Sequence, residues 1–441
     1  MIELSLNNFH LHNKPYTRLF NFKKSLSISR YTALEQKFKD YVDKDEAFER
    51  LKLRTSAEYY NEVYSAQMSA LSLSESLFPA YKFIFPDVLM DDWLSIICPH
   101  KKGRRDHSLH QPLTSYIVSE LLGMLDKDNE LKVKDETLCD YCVDKLINDK
   151  RTLYLRHYFD ELYQKEFPIK NDAQKKNWAR AVFEQASIMA SLFHDIGYPW
   201  QFMNLLGKAT SNIELNGGFA HQANYIYDQI CSRLLVYPFY GYSESCVKHP
   251  LSNSKNEVLK QIESASLKTH GFPGALAFTY LNDVISKYPV EYNFEGATVR
   301  FIQDWASVAI MMHDMASRYR NDKGEVLNPH YRIRIDTDPL SCLISMADIL
   351  EEFGRPLADF RSYTKGVVTR YNYPCTRTTI DVTGNAMTIT YLYKEGSNLS
   401  KFRSIRENEV YSYFNEKDGY LDLSPIGIER VECNVDYDKD N

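Results

Sequence analysis

Apolar positions recur at helical spacing through the middle of the chain. In LHQPLTSYIVSELLGML, residues 109–125, Leu113, Ile117, Leu121 and Leu125 fall four apart, which predicts one buried stripe of a helix beginning near His110. The stretch NWARAVFEQASIMASLFHDIG, residues 177–197, is the strongest core-helix pattern, with Ala181, Ile188 and Leu192 apolar. Gly197 and Pro199 supply its stop signal, so His194 and Asp195 belong to its last turn. Further helices are expected around HGFPGALAFTYLNDVI, IQDWASVAIMMHDMASRY and DPLSCLISMADILEEFGR.

Elsewhere the pattern changes. The charged stretch DKDNELKVKDETLCDYCVDK reads as a solvated connection or a helical insertion. From about residue 200 to 265 the chain is polar and punctuated by Gly, Pro, Ser and Asn, as expected of an insertion or lid, with one helix near HQANYIYDQICSRLL. Beyond residue 360, TRTTIDVTGNAMTITYLYK alternates Thr, Val, Ile and Tyr around Gly384-Asn385, a hairpin signature. Residues 1–99 mix polar and aromatic stretches, and the prolines of SLFPAYKFIFPDVL imply short elements. The expected fold class is therefore mainly α with insertions. It divides into a helical or mixed region over 1–99, a helical domain over 100–360, and a small β-rich region over 361–441.

Composition narrows the function classes. Of 441 residues, 44% are hydrophobic and 25% charged, the ordinary globular range, which argues against disorder over most of the chain. A formal charge of -6 gives no global basic field, so nucleic acid is not indicated; the best candidate for a local basic patch is HKKGRRDH, residues 100–107. No run approaches 18 apolar residues and the first residues lack a basic-then-apolar leader, so a cytoplasmic protein with no membrane span is expected. The eight Cys are scattered. The C-x-x-C of Cys139 and Cys142 lacks the second pair a structural zinc site needs, and reduced thiols fit better.

Six ionisable residues lie inside apolar helical contexts: His110, His194, Asp195, His270, His313 and Asp348. Each taken singly reads as a helix cap or a hydrogen-bonded core residue. Burying a lone carboxylate costs several kcal/mol, however, and a shared metal would compensate several of these groups at once.

The segments RRDHSLHQPLTSYIV, SLFHDIGYP, LKTHGFPGALAF, AIMMHDM and DPLSCLISMADILEEFGRP carry these residues in the order His, His-Asp, His, His, Asp. That order resembles the HD superfamily of metal-dependent phosphohydrolases. The resemblance covers roughly residues 100–360 and implies an HD-domain helical core. A first His, the doublet and the distal Asp would hold one metal or a pair, and the two intervening His would complete a binuclear centre. HGFPG looks like the H-x-x-x-G of the phosphodiesterase branch. The doublet is followed by Ile-Gly-Tyr where cyclic-di-GMP hydrolases have Gly-Lys nearby. Two residues compete for the first position: His107 fits the R-x-x-H spacing of some nucleotide triphosphohydrolases, whereas His110 better precedes the helix stripe.

On this resemblance, His110, His194, Asp195, His270, His313 and Asp348 would ligate the metal, and Asp195 and His107 would be catalytic. The implied reaction is hydrolysis of a phosphate ester of a nucleotide or related small molecule by a metal-activated hydroxide. The cofactor would be a divalent metal, two ions in the binuclear version, with Mn, Fe, Co, Ni, Zn and Mg not distinguished. Arg104, Arg105 and Lys101 would hold phosphates, or else form a solvated basic loop. Asp314 either orients a ligand imidazole or faces solvent, and Glu351, Glu352 and Arg355 read as a helix-face pairing. No G-x-x-x-x-G-K-[ST], G-x-G-x-x-G or G-x-S-x-G occurs, which leaves P-loop, dinucleotide and serine-hydrolase chemistry without support. Two rivals remain. One is a mononuclear (deoxy)nucleotide triphosphohydrolase using His107 or His110 with His194, Asp195 and Asp348; the other is a non-catalytic nucleotide-sensing module.

Overall fold

The computed structural model describes residues 1–5, 8, 107–124, 131–133, 136–148, 153–167, 172–197, 270–271, 274–275, 277–279, 282, 294, 296–314, 332–353, 374–415 and 419–439. Their elements in chain order are β1 (Ile2–Ser5), α1 (His107–Leu121), β2 (Lys132–Val133), β3 (Glu136–Thr137), α2 (Leu138–Asn148), α3 (Leu153–Glu166), α4 (Asp172–Phe193), α5 (Gly296–His313), β4 (Ile333–Arg334), α6 (Pro339–Leu350), β5 (Cys375–Thr383), β6 (Ala386–Tyr393), α7 (Leu399–Phe414), β7 (Leu421–Asp422), a 3-10 turn (Ser424–Ile426) and β8 (Arg430–Tyr437). Helix predominates among the described residues, as the hydrophobic periodicity predicts. The whole of the 200–265 insertion and residues 9–99 lie outside them, as do Lys101, Arg104, Arg105 and Arg355.

The chain divides into two compact units, one of Met1–Leu131, Ile349–Val410 and Val431–Asn441, the other of Lys132–Asp348 and Tyr411–Arg430. The second is helical. Its centre is α4 packed against α5, and each becomes buried all round toward its C-terminus, from Gln185 to Phe193 and from Phe301 to His313. A helix with no polar face is a core helix. Small hydroxyls are accommodated there because each bonds back to its own helix: Ser187 donates to Phe183 O at 2.7 Å and Ser307 to Gln303 O at 2.9 Å. Phe159, Trp178, Phe183, Phe301 and Trp305 form an aromatic cluster, with Phe159 meeting Trp178 edge-on at 5.7 Å and Phe301 at 5.2 Å between ring centroids. The end of the charged stretch, from Leu138, forms α2, whose Leu138, Cys139, Cys142, Val143 and Leu146 are buried.

Helix α6 starts from an Asp-Pro signal. Asp338 Oδ1 accepts from Ser341 N–H at 3.2 Å and its carbonyl accepts from Cys342 N–H, while Pro339 opens the helix. This is the N-cap and first-position pairing expected of those residues. β4 and β7 pair in parallel, Ile333 opposite Leu421.

The other unit contains a four-stranded sheet in the order β1-β5-β6-β8. β5 and β6 form the expected hairpin: Thr383 is opposite Ala386, and Gly384 takes φ 62° in the two-residue turn. Along β6, Met387, Ile389, Tyr391 and Tyr393 are buried on one face, the period-two pattern of a half-covered strand. β1 pairs antiparallel with β5, Ile2 opposite Ile380 and Leu4 opposite Thr378. Helix α1 buries Leu113, Ile117 and Leu121, as its spacing predicts.

No helix among the described residues is long and apolar enough to cross a membrane.

A candidate metal centre

Helices α4 and α5 both end in a His-Asp dipeptide, and the two ends meet. His194 follows the last residue of α4, and its Nδ1 donates to Ser191 O, three residues back, at 2.8 Å. His313 closes α5 in the same way, Nδ1 donating to Ile310 O at 2.6 Å. The last turn of any helix leaves carbonyls without a partner inside the helix, so a terminal His has an acceptor at hand. Using Nδ1 in this way fixes the tautomer and turns Nε2, with its lone pair, away from the helix. The two rings stand edge to face with centroids 5.0 Å apart.

His270 completes the arrangement. Its Nδ1 and its backbone N–H both lie 2.9 Å from Asp314 Oδ2, and its Nε2 is 3.1 Å from His313 Nε2. All three Nε2 atoms face one carboxylate oxygen: Asp195 Oδ1 is 2.9 Å from that of His270, 3.4 Å from His194 and 3.6 Å from His313. Asp348, near the C-terminus of α6, places Oδ1 3.9 Å from His194 Nε2. His194, Asp195 and His313 are fully buried, and His270 and Asp348 nearly so.

The backbone permits this closeness because it is glycine where the segments touch. A Cβ at Gly197 would stand 1.8 Å from His270 O and 2.6 Å from Gly274 N; one at Gly271 would stand 2.8 Å from Ile310 O. Phe278 then packs on Phe193 and Thr279 donates to Ser307 Oγ at 2.8 Å. These contacts hold the 270–279 segment against both helices.

The electrostatics favour positive charge. The C-terminal ends of α4 and α5 direct their partial negative charge at the cluster, and Asp195 adds a full one. Burial opposes a charge on His270, yet the Asp314 carboxylate and then Asp195 outweigh it, so its pKa is pushed up to about 10. Asp314 is held below the usual carboxylate range despite its burial, chiefly by His270. Asp195, His270 and His313 each offer one donor atom within 4.8 Å of the others. Three imidazoles with Nδ1 occupied and Nε2 turned inward, around a carboxylate, form the mixed N and O donor set of a first-row divalent ion.

Of the residues named from sequence, the helical unit thus brings together His194, Asp195, His270, His313 and Asp348. His110 belongs to the other unit, where it is fully buried and its Nδ1 donates to Glu351 Oε2 at 2.6 Å. His107 lies in the first turn of α1, but its side chain, like those of Arg104 and Arg105, falls outside the described residues. Glu351 was legible only as half of a helix-face pairing. Its partner lies 241 residues away, a separation that no helical period encodes. Glu352 likewise accepts from Tyr393 Oη at 3.0 Å and pairs with Arg406 at 3.1 Å.

A scan against protein-family models, a search of curated proteins and a search of solved structures each found no match to this chain.

Proposed function

We propose that this protein is an HD-type metal-dependent phosphohydrolase acting on the phosphate ester of a nucleotide or related small molecule. The observation that carries the reading is the convergence of three imidazole Nε2 atoms on Asp195 Oδ1, made by residues whose sequence order alone resembles that superfamily. His194, Asp195, His270, His313 and Asp348 would hold the divalent ion or ions, with His110 added as first ligand on its place in that order.

The metal, when bound, supplies acidified water and neutralises phosphate oxygens. The chain supplies the rest. Asp195, with two oxygens, is suited to serve two positions. With an ion in place of the proton that His270 otherwise holds, the inward Nε2 atoms would be neutral donors, so the centre would keep enough positive charge to attract a phosphate. His107, Arg104 and Arg105, just ahead of His110, are assigned to the substrate: His107 for proton transfer and the arginines for phosphate oxygens. A small-molecule phosphate is the expected partner, and the cytoplasm the expected location.

Elemental analysis of the purified protein beside Asp195→Ala tests the proposal. Two transition metals per chain, lost in the variant, together with turnover of cyclic nucleotides, dinucleotides or nucleoside phosphates, is the expected result. One ion per chain, with His270 and His313 dispensable for turnover, would transfer the assignment to a mononuclear nucleotide triphosphohydrolase. Tight nucleotide binding without turnover under Mn, Fe, Co, Ni, Zn or Mg would make it a sensing module. No metal in either protein after incubation with these ions would overturn the metal reading altogether.

A further inference from the structure

We infer that Asp314 is a positioning residue that seats His270, holding the ring by Nδ1 and the backbone by its N–H so that Nε2 is presented to Asp195 and His313. The role rests on the metal-centre reading for its purpose, but its geometry stands independently.

The three histidines of the centre solve the same problem by different means. Each must give up Nδ1 to an acceptor if Nε2 is to point inward. His194 and His313 follow or close long helices and find that acceptor in a carbonyl of their own last turn, at Ser191 and Ile310. His270 instead opens the helical turn that follows it, Gly274 N–H donating to its carbonyl at 2.9 Å, and its acceptor comes from another element. Asp314 provides it from the residue immediately after α5. One oxygen, Oδ2, lies 2.9 Å from both the ring Nδ1 and the backbone N of His270, fixing the side chain and the main chain together.

The fit around this contact is close. A Cβ on Gly271 would meet Ile310 O at 2.8 Å, Met311 O at 3.0 Å and Asp314 Cβ at 3.2 Å. The His270 segment therefore rests directly on the end of α5, at a height from which one carboxylate oxygen reaches both nitrogens. A carboxylate is also a stronger acceptor than the carbonyls serving the other two rings, and a hydrogen bond from Nδ1–H to an anion makes the opposite nitrogen a better donor to a metal. The second His-Asp dipeptide thus repeats the first in sequence while facing the other way. Asp195 turns into the cluster, and Asp314 braces it from behind.

Two readouts on the full-length protein test this, using Asp314→Ala, Asp314→Asn and Gly271→Ala with circular dichroism as the check on folding. The first is the ring Nδ1–H resonance of His270 in metal-free protein labelled at histidine, assigned with His270→Gln. It is expected downfield and slowly exchanging in the wild type, absent in Asp314→Ala and Gly271→Ala, and retained but shifted upfield in Asp314→Asn, which keeps a neutral acceptor. The second is Co(II) titration of metal-free protein, where loss of such a supporting hydrogen bond typically weakens binding by about 10–100-fold. That loss is expected in Asp314→Ala, with partial rescue in Asp314→Asn. Persistence of the resonance in a folded Asp314→Ala, or unchanged Co(II) affinity in that variant, overturns the role. If the wild type takes up neither Co(II) nor Mn, Fe, Ni, Zn or Mg, it is the phosphohydrolase reading that falls, and the resonance alone decides what Asp314 does.

Discussion

At the scale of single residues, two acids among the described residues sit against imidazoles. Asp195 is faced by three imidazoles and Asp314 by one. Asp338 has less. Burial, only partly offset by its hydrogen bonds from Ser341, pushes its pKa up to about 6 from the ordinary 3.8. Because the folded state holds this proton more tightly than the unfolded chain, its contribution to stability is complete below pH 3.8. It is lost as pH rises to about 6, and constant above that. The loss amounts to about 3 kcal/mol as an upper bound, at 1.36 kcal/mol per pH unit. Asp338→Asn keeps the cap acceptor without the ionisation. Its urea unfolding free energy should therefore fall less between pH 4 and 6 than the wild type's, and should exceed the wild type's at pH 7. Equal slopes in the two proteins would assign the dependence to another group.

At the scale of elements, what was legible in the sequence was whatever a single helix encodes. Leu113, Ile117 and Leu121 gave α1; the run before Gly197 gave α4 and put His194 at its end; Gly384-Asn385 gave the β5–β6 turn. Each of these depends on neighbours within a few residues. The bond from His270 to Asp314 spans 44 residues and that from His110 to Glu351 spans 241, so both depend on how elements dock and leave no periodic trace. The same holds for α7, whose Arg406 is 6% exposed, lies over the Tyr391 ring at 5.9 Å, and pairs with Glu352 at 3.1 Å and Glu409 at 2.5 Å. Removing one partner of a buried ion pair strands the other's charge, at a cost of about 3–5 kcal/mol. Arg406→Met should lower the urea stability of the protein by that order, and the double variant Arg406→Met with Glu352→Gln should recover much of it. A single variant as stable as wild type would show that the stranded Glu352 finds water.

At the scale of the whole molecule, neither compact unit is a continuous stretch of chain. The sheet unit takes strands from both ends of the sequence, with Arg377 reaching Glu3 across 374 residues at 3.2 Å. Ile2 and Leu4 are buried in it, each contributing roughly 1.5–3 kcal/mol. Their strand also covers the edge of β5, and an uncovered edge is a template for pairing with another chain. Deleting residues 2–5 should lower the unfolding midpoint and promote concentration-dependent association in size-exclusion chromatography. Unchanged stability and a single monomer-sized peak would mean that β1 is dispensable. A folding path that must close so large a loop is expected to be slow.

The pairing of β1 with β5 also sets an order of events during synthesis. The ribosome delivers Ile2–Ser5 well before its partner Cys375–Thr383, with the helices α1 to α6 synthesised between them. For that interval the first strand is in the cell without its place in the sheet. Helices α2 to α6 are translated in between and have the opportunity to pack on one another before the sheet can be completed, although Tyr411–Arg430 joins their unit only later.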